Sequence, residues 1–415
     1  MSRYEGRRLV ELLDVVSCLL TLPAYYCWNY GLGCYYLTTG EVRRVRDTLV
    51  VGPLLLLLAL CLVPVAIHGY LLWLLLSLLL PGRPYSLLHL GTSPPPSHQT
   101  TFTFATMNVL IGPELGNKFN NLPFVFSRVE KIAAKILDQS SEVMGNALNG
   151  EVDEVTKEEA VLTRFPHVDF ICFQEVFERV HAVGLAMRLR ALYPYMVVDV
   201  ATHRPATNLC LLGSGLALAS RFPILSATFI PFTAKRGWQW CVDYGVLLCK
   251  MDLGEGRVGV LANLHTVAYQ GKEQLIREAL TQVEEAIASF TREQVEEGER
   301  LEWAVVGGDF NFDNMSPGDR ECAEHSLLRT FTDPALVAPG QDAGWAVGTE
   351  TRQPTLHTPE MRSPERFKDI LVDDTRRRHY MLDADVEEQT MDLMTIGPKT
   401  NHAGEVRGNV VLAHL

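Results

Sequence analysis

The sequence predicts an α/β layered domain behind an N-terminal hydrophobic module, and three observations carry that expectation. Apolar runs of strand length end repeatedly in a polar residue, amphipathic helical repeats alternate with them, and long uncharged runs are confined to the first hundred positions. The chain has 415 residues and a net charge of −12, so it exceeds one average domain and can bury a sizeable core. Residues 1 to 100 hold seven Lys or Arg against five Asp or Glu, which leaves about −14 on the remainder. An acidic domain repels nucleic-acid backbones, so nucleic acid is not an expected partner. Nine cysteines are scattered without a C-x-x-C pair, and neither a signal peptide nor a disulfide framework is evident; a reducing, cytosolic setting is expected.

Leu49 to Leu80 is a run of 32 residues without formal charge, interrupted only by Gly52, Pro53, Pro64, His68 and Gly69. One straight helix of that length would measure roughly 48 Å against a hydrocarbon core of about 30 Å, so a kinked or re-entrant hairpin is expected. Val15 to Tyr36 is a weaker apolar stretch, with Pro23, Asn29 and several tyrosines suited to an interface. Arginines flank both stretches on every side (Arg3, Arg7, Arg8, Arg43, Arg44, Arg46, Arg83), so charge selects no orientation. Two dipping segments explain that symmetry, leave every flank cytosolic, and set the arginines against anionic headgroups. Cys27, Cys34 and Cys61 are candidates for acylation. Thr92 to Gln99, with three prolines, is a stiff linker. The expected division is therefore 1–90 membrane module, 91–100 linker, 101–394 layered domain and 395–415 tail.

Phe102 to Leu110 reads as an opening strand that carries Asn108, and Asn121 to Leu137 as a helix whose Val129, Ile132, Ala133, Ile136 and Leu137 share one face. Gln139 to Ala160 is polar and acidic, an expected insertion. Val168 to Phe173 is a buried strand delivering Gln174 and Glu175. Leu211 to Ser220 is another, with Ser214 and Gly215 where backbones approach. Val258 to His265 repeats the pattern, Lys272 to about Arg292 is a long amphipathic helix, and Trp303 to Val306 is a strand that leads into Gly307-Gly308-Asp309-Phe310-Asn311. Each strand thus ends in a residue an apolar core would reject, so the site gathers at strand ends.

A hard cation such as Mg²⁺ takes carboxylate and amide oxygens, usually one or two from protein; Glu175 and Asn108 offer them. At a strand end His265 could donate to a phosphate oxygen. In the Gly-Gly-Asp-Phe-Asn turn the glycines admit close backbone approach, while Asp309 and Asn311 at i and i+2 are expected to point the same way.

These residues resemble the endonuclease/exonuclease/phosphatase superfamily, and within it the neutral sphingomyelinases that bear two N-terminal hydrophobic segments. The resemblance rests on Thr106 to Val109, Asn120-Asn121-Leu122, Phe173-Gln174-Glu175-Val176, Gly213-Ser214-Gly215-Leu216, Ala219 to Ile224, Leu264-His265, Gly308 to Asn314 and Trp345 to Thr349. The short linker is closer to the mitochondria-associated type than to the Golgi and plasma-membrane one. The resemblance implies a DNase I-like two-layered β-sandwich flanked by helices, and hydrolysis of sphingomyelin to ceramide and phosphocholine. Glu175 and Asn108 would hold Mg²⁺, His265 and Asn311 would contact phosphate, with Ser214 a further substrate-binding position, and Asp309 would orient the catalytic groups. It also implies a cytosol-facing catalytic domain on a mitochondrial, endoplasmic reticulum, Golgi or plasma membrane, with anionic phospholipids as partners.

The chain departs from this family at its end. The Asp-Tyr strand and the Asp-His pair whose histidine deprotonates the attacking water are missing; the nearest candidate is His402 in Thr400-Asn401-His402. An altered tail is expected to delete a core strand and leave an unpaired sheet edge. An acidic and a basic residue that relatives carry before the glycine matching Gly245 correspond here to Gln239 and Tyr244. A catalytically impaired membrane paralogue or isoform is therefore the leading alternative, and a phosphoinositide phosphatase or nuclease of the same fold the next.

Overall fold

The computed structural model describes residues 7–36, 46–80, 82–91, 99–138, 168–202, 212–235, 241–267, 273–312 and 320–333, short pieces at 336–338, 341–342 and 409–414, and a few single positions. Two N-terminal helices come first, α1 (Arg8–Gly33) and α2 (Gly52–Leu79), the second led in by a π-helical turn at Asp47–Val51. Both are long and apolar enough to cross a membrane. Leu54, Leu57, Leu60, Leu71, Leu75 and Leu78 expose their side chains from α2, which no water-soluble surface would do. The helices approach closely at Gly69: Ser17 Oγ donates to its carbonyl at 2.9 Å, and a Cβ there would lie 2.8 Å from Ser17 O. Small residues permit such contact.

The uncharged run is thus not a hairpin within itself. It is one continuous 33-residue helical segment, about 50 Å long at 1.5 Å per residue. Pro64 sits inside it without ending it. The hairpin forms instead between α1 and α2. An adjoining side of α1 lies on the soluble domain: Arg179, which also pairs with Asp199 of that domain at 3.4 Å, pairs with Asp14 at 2.5 Å, Lys118 Nζ donates to Gly33 O at 2.9 Å, and Leu115 N–H donates to Asn29 Oδ1 at 3.2 Å.

The soluble domain follows as β1 (Ser86–His89), β2 (Phe104–Ile111), α3 (Glu114–Phe119), α4 (Val125–Asp138), β3 (Phe170–Val176), α5 (Arg179–Leu189), β4 (Tyr195–Val198), β5 (Ala217–Ser220), β6 (Ile224–Pro231), β7 (Gly245–Gly254), β8 (Arg257–His265), α6 (Glu273–Gln294) and β9 (Arg300–Asp309). Short strands β10 (Leu336–Ala338) and β11 (Gln341–Asp342) pair with each other, and β12 (Asn409–His414) is last. One five-stranded sheet has the order β1-β4-β5-β3-β2 and the other β12-β9-β8-β7-β6. Only β2 with β3 and β8 with β9 are parallel pairs within them.

The sheets pack face to face through Phe170, Cys172, Leu247, Cys249, Leu261, Trp303 and Val305. Helices α4 and α5 cover the outer face of the first sheet through Val129, Ala133, Ile136, Ala182 and Leu185. Helix α6 covers the second through Ile276, Leu280, Val283 and Ile287. This helix-sheet-sheet-helix sandwich is the expected fold class, and the strand ends it brings together are the ones that carry polar residues.

Several element boundaries differ from expectation for local reasons. Helix α4 starts at Val125 rather than Asn121, because Asn121 and Phe124 adopt φ of 59° and 64°, outside the helical region. Strand β5 is only Ala217–Ser220, since Gly215 turns the chain with φ 80°. Ser86–His89, inside the expected membrane module, pairs with β4 and so belongs to the first sheet. The tail does not leave the second sheet open at β9: Asn409–His414 pairs antiparallel with it, Asn409 opposite Asp309. The register runs on to His414 opposite Ala304. The polar insertion at 139–160, the linker core, Cys210, Gln239, Trp345 to Thr349 and His402 lie outside the described residues.

Candidate active site

Four polar side chains meet where strands of both sheets end. Asn108 comes from β2, Glu175 from β3, His265 from the last position of β8 and Asp309 from the last of β9. Asn108 Nδ2 donates to Glu175 Oε1 and to Asp309 Oδ2, both at 2.8 Å. His265 Nε2 stands 3.9 Å from the same Glu175 oxygen and 3.8 Å from the same Asp309 oxygen. Its ring is buried and meets Tyr244 edge-on at 5.0 Å, while its Nδ1 has no hydrogen-bond partner among the described residues. A buried orphan nitrogen is costly unless a ligand completes it.

Backbone geometry aims these groups. Glu175 has φ 62°, a left-handed conformation rare for a long side chain and frequent at sites that need a residue turned out of the strand. A Cβ on Gly215 would come within 3.0 Å of the Glu175 Cα, so the neighbouring turn must be glycine. Burial raises the Glu175 carboxyl above the usual carboxylate range, opposed by His265 and the Asn108 hydrogen bond and reinforced by Asp309. A divalent cation alongside would favour the charged form again.

The two glycines before Asp309 do different work. A Cβ on Gly308 would lie 2.2 Å from Leu264 O across the parallel β8 pair, whereas one on Gly307 meets nothing closer than Cys172 Sγ at 3.6 Å. Gly308→Ala is therefore expected to cost several-fold more stability in urea unfolding than Gly307→Ala; equal costs would contradict the clash.

Asn311 does not project beside Asp309 as an i, i+2 strand neighbour. Its φ is 52°, its N–H donates to Asp309 Oδ1 at 3.0 Å and its Nδ2 to Thr266 O at 2.9 Å. It locks the turn that holds Asp309. Asn108 likewise presents nitrogen, not oxygen, to the two carboxylates; its Oδ1 accepts Leu110 N–H at 3.2 Å. Ser214 is fully buried and its Oγ accepts Leu216 N–H at 3.1 Å, one step behind Glu175.

Beneath the four residues lies a polar clasp the sequence reading missed. Gln174 Nε2 donates to Asn263 Oδ1 at 2.7 Å and to Thr106 Oγ1 at 3.0 Å. Asn263 Nδ2 donates to Phe173 O at 3.1 Å and Ala217 O at 2.9 Å. Both amides are buried, and together they tie β2, β3 and β5 of one sheet to β8 of the other. The available signal was a lone asparagine inside the apolar run Val260-Leu261-Ala262-Asn263-Leu264.

Among the described residues no three His, Cys, Asp or Glu side chains form a metal cage. The donor set suits Mg²⁺ nonetheless: Glu175 and Asp309 aim carboxylate oxygens at one amide nitrogen, and Mg²⁺ commonly keeps waters and only one or two protein carboxylates.

The chain is 30% identical over 394 residues to sphingomyelin phosphodiesterase 5 of Mus musculus, a match covering 90% of this chain and 80% of the mouse protein. It is 34% identical over 226 residues to sphingomyelin phosphodiesterase 5 of Danio rerio, covering 52% of this chain and 42% of that protein, so here the match spans less than half of the relative's length. Among solved structures, a beta hairpin deletion mutant of beta toxin from Staphylococcus aureus aligns at TM-score 0.42 and 12% identity, over 76% of this chain and 87% of that one. No family model matches the chain.

Proposed function

The chain belongs to the sphingomyelin phosphodiesterase family, and from that premise we propose that it hydrolyses sphingomyelin to ceramide and phosphocholine at a membrane surface. The observation that carries this reading is the convergence of Asn108, Glu175, His265 and Asp309 within hydrogen-bonding or ion-pairing reach of one another. Glu175 and Asp309 would hold Mg²⁺, which when bound offsets charge developing on the phosphodiester. Asn108 holds the two carboxylates together, or turns its oxygen to the cation. The orphan His265 Nδ1, carrying the proton, would donate to a phosphate oxygen. Asn311 and Ser214 shape the turns behind Asp309 and Glu175; Asn311 reaches phosphate only by releasing Thr266 O.

Helix α1, pinned along the soluble domain from Asp14 to Gly33, supports segments that dip into a leaflet, because crossing it would carry the Arg179–Asp14 pair into hydrocarbon. On that reading the catalytic domain faces the cytosol and Arg7, Arg8, Arg46 and Arg83 meet anionic headgroups. The organelle most in keeping with the short linker is the mitochondrion or endoplasmic reticulum.

A catalytically impaired member is the second reading, favoured by the residues leading into β12. That strand begins with Asn409 opposite Asp309, and Arg407-Gly408 before it supplies no histidine; His402 lies earlier in the chain. Phosphocholine release from sphingomyelin vesicles by the purified full chain, with and without Mg²⁺, decides between them. Mg²⁺-dependent release is expected. Folded, vesicle-bound protein with no turnover establishes the impaired reading, and cleavage of phosphoinositide vesicles alone would replace the substrate.

A further inference from the structure

Three phenylalanines of the soluble domain lie open on the side that carries α1: Phe119 at the end of α3, and Phe124 and Phe126 around the start of α4, each about half exposed. Scattered exposed apolar residues are ordinary, but these are held in place and adjoin a larger apolar surface. Phe124 has φ 64°, a conformation bulky residues rarely adopt. Buried Glu114 fixes it there, accepting Phe124 N–H at 2.8 Å and Val125 N–H at 2.9 Å. The sequence thus spends a buried carboxylate on a turn that holds an aromatic ring outward.

The ridge is continuous with the helical hairpin. Phe119 meets Tyr36 edge-on at 4.6 Å and Phe126 meets Tyr26 at 6.1 Å. Helix α2, packed on α1, exposes leucines on several sides, and only hydrocarbon suits such a surface. The ridge is also tied to the site. One turn beyond Phe124, Arg128 donates to Val109 O at 2.9 Å and Leu110 O at 2.6 Å, the residues that follow Asn108.

We propose that Phe119, Phe124 and Phe126 form a second membrane-contacting surface, on the soluble domain itself, which enters the interface of the bilayer that takes α2 and seats the rim of the site among headgroups. The occupant is the lipid interface, where aromatic rings are favoured. This rests on the membrane reading above, and the test separates the two. Full-length parent, F124W and L225W are mixed with phosphatidylcholine–sphingomyelin vesicles carrying brominated acyl chains. Leu225 is equally exposed but lies on β6, at the far edge of the second sheet. Co-flotation of the parent reports on the hairpin. The ridge is tested by the added emission of F124W, which should be quenched about twofold or more by depth-limited contact with bromine, while that of L225W is not. Unquenched F124W on floating protein overturns the ridge alone, as does equal quenching of L225W. Failure of the parent to float overturns the membrane reading and the ridge with it. A blue shift of F124W that depends on protein concentration without vesicles would make the face a self-association surface and overturn the proposal.

Discussion

Glu175→Gln should lower phosphocholine release by about 10³-fold or more, the scale of a lost metal contact to the reacting phosphate, while leaving the protein at least as stable. The substitution keeps shape, and an amide oxygen can still accept the 2.8 Å hydrogen bond from Asn108. It removes a carboxylate whose charged form burial disfavours. A carboxyl whose folded pKa is raised stabilises the fold fully below its unfolded pKa and loses that contribution as pH rises through the folded value. The Gln variant should therefore match the parent in acid and exceed it as pH climbs past the ordinary carboxylate range. Mg²⁺ supplies an independent readout: at about 100 times its Kd a ligand adds about 2.7 kcal/mol, so thermal unfolding of the parent should shift upward and that of the variant should not. Equal Mg²⁺ shifts in both would remove Glu175 from the metal site, and retained activity would remove it from catalysis.

Gln174→Leu should be the most damaging substitution that touches no reacting group. The residue is wholly buried, and leucine leaves the buried Asn263 Oδ1 without the donor it meets at 2.7 Å and removes the amide that Thr106 Oγ1 meets at 3.0 Å. A stranded buried acceptor costs about 1–3 kcal/mol, so urea unfolding should report a loss of about 2 kcal/mol. Turnover should fall as well, because Gln174 precedes Glu175 on β3 and Asn263 sits two residues before His265 on β8. The clasp is what fixes one strand end relative to the other, and sub-ångström registration matters at such sites. Asn263→Leu made on its own and in the Gln174→Leu background should show coupling of about 1 kcal/mol or more. Strict additivity would mean that the two amides do not act as one unit.

The residues of the candidate site were legible one by one because each breaks a local rule. Glu175, His265 and Asp309 end apolar runs, and a charged or imidazole side chain at the end of a buried strand has to be justified by something it does. Gly308 beside Asp309 and the amphipathic repeat of α6 are equally local. Asn311 departs from strand alternation because the strand ends at Asp309 and a left-handed turn takes over. The continuity of α2 is not legible from its length, because a long apolar helix need not stand upright in a bilayer.

By itself, then, the sequence determined two N-terminal hydrophobic segments, an acidic α/β domain, and the identities of the polar residues that close its strands, all of them short-range patterns of periodicity and interruption. Only the tertiary structure decided that Asn108 and Glu175 from one sheet face His265 and Asp309 from the other, that Gln174 and Asn263 join those sheets, that α1 lies along the soluble domain, and that residues 409–414 complete the edge beside β9. These are pairings between segments as much as two hundred residues apart; they arise from packing two twisted sheets face to face, and no periodicity within either segment encodes them.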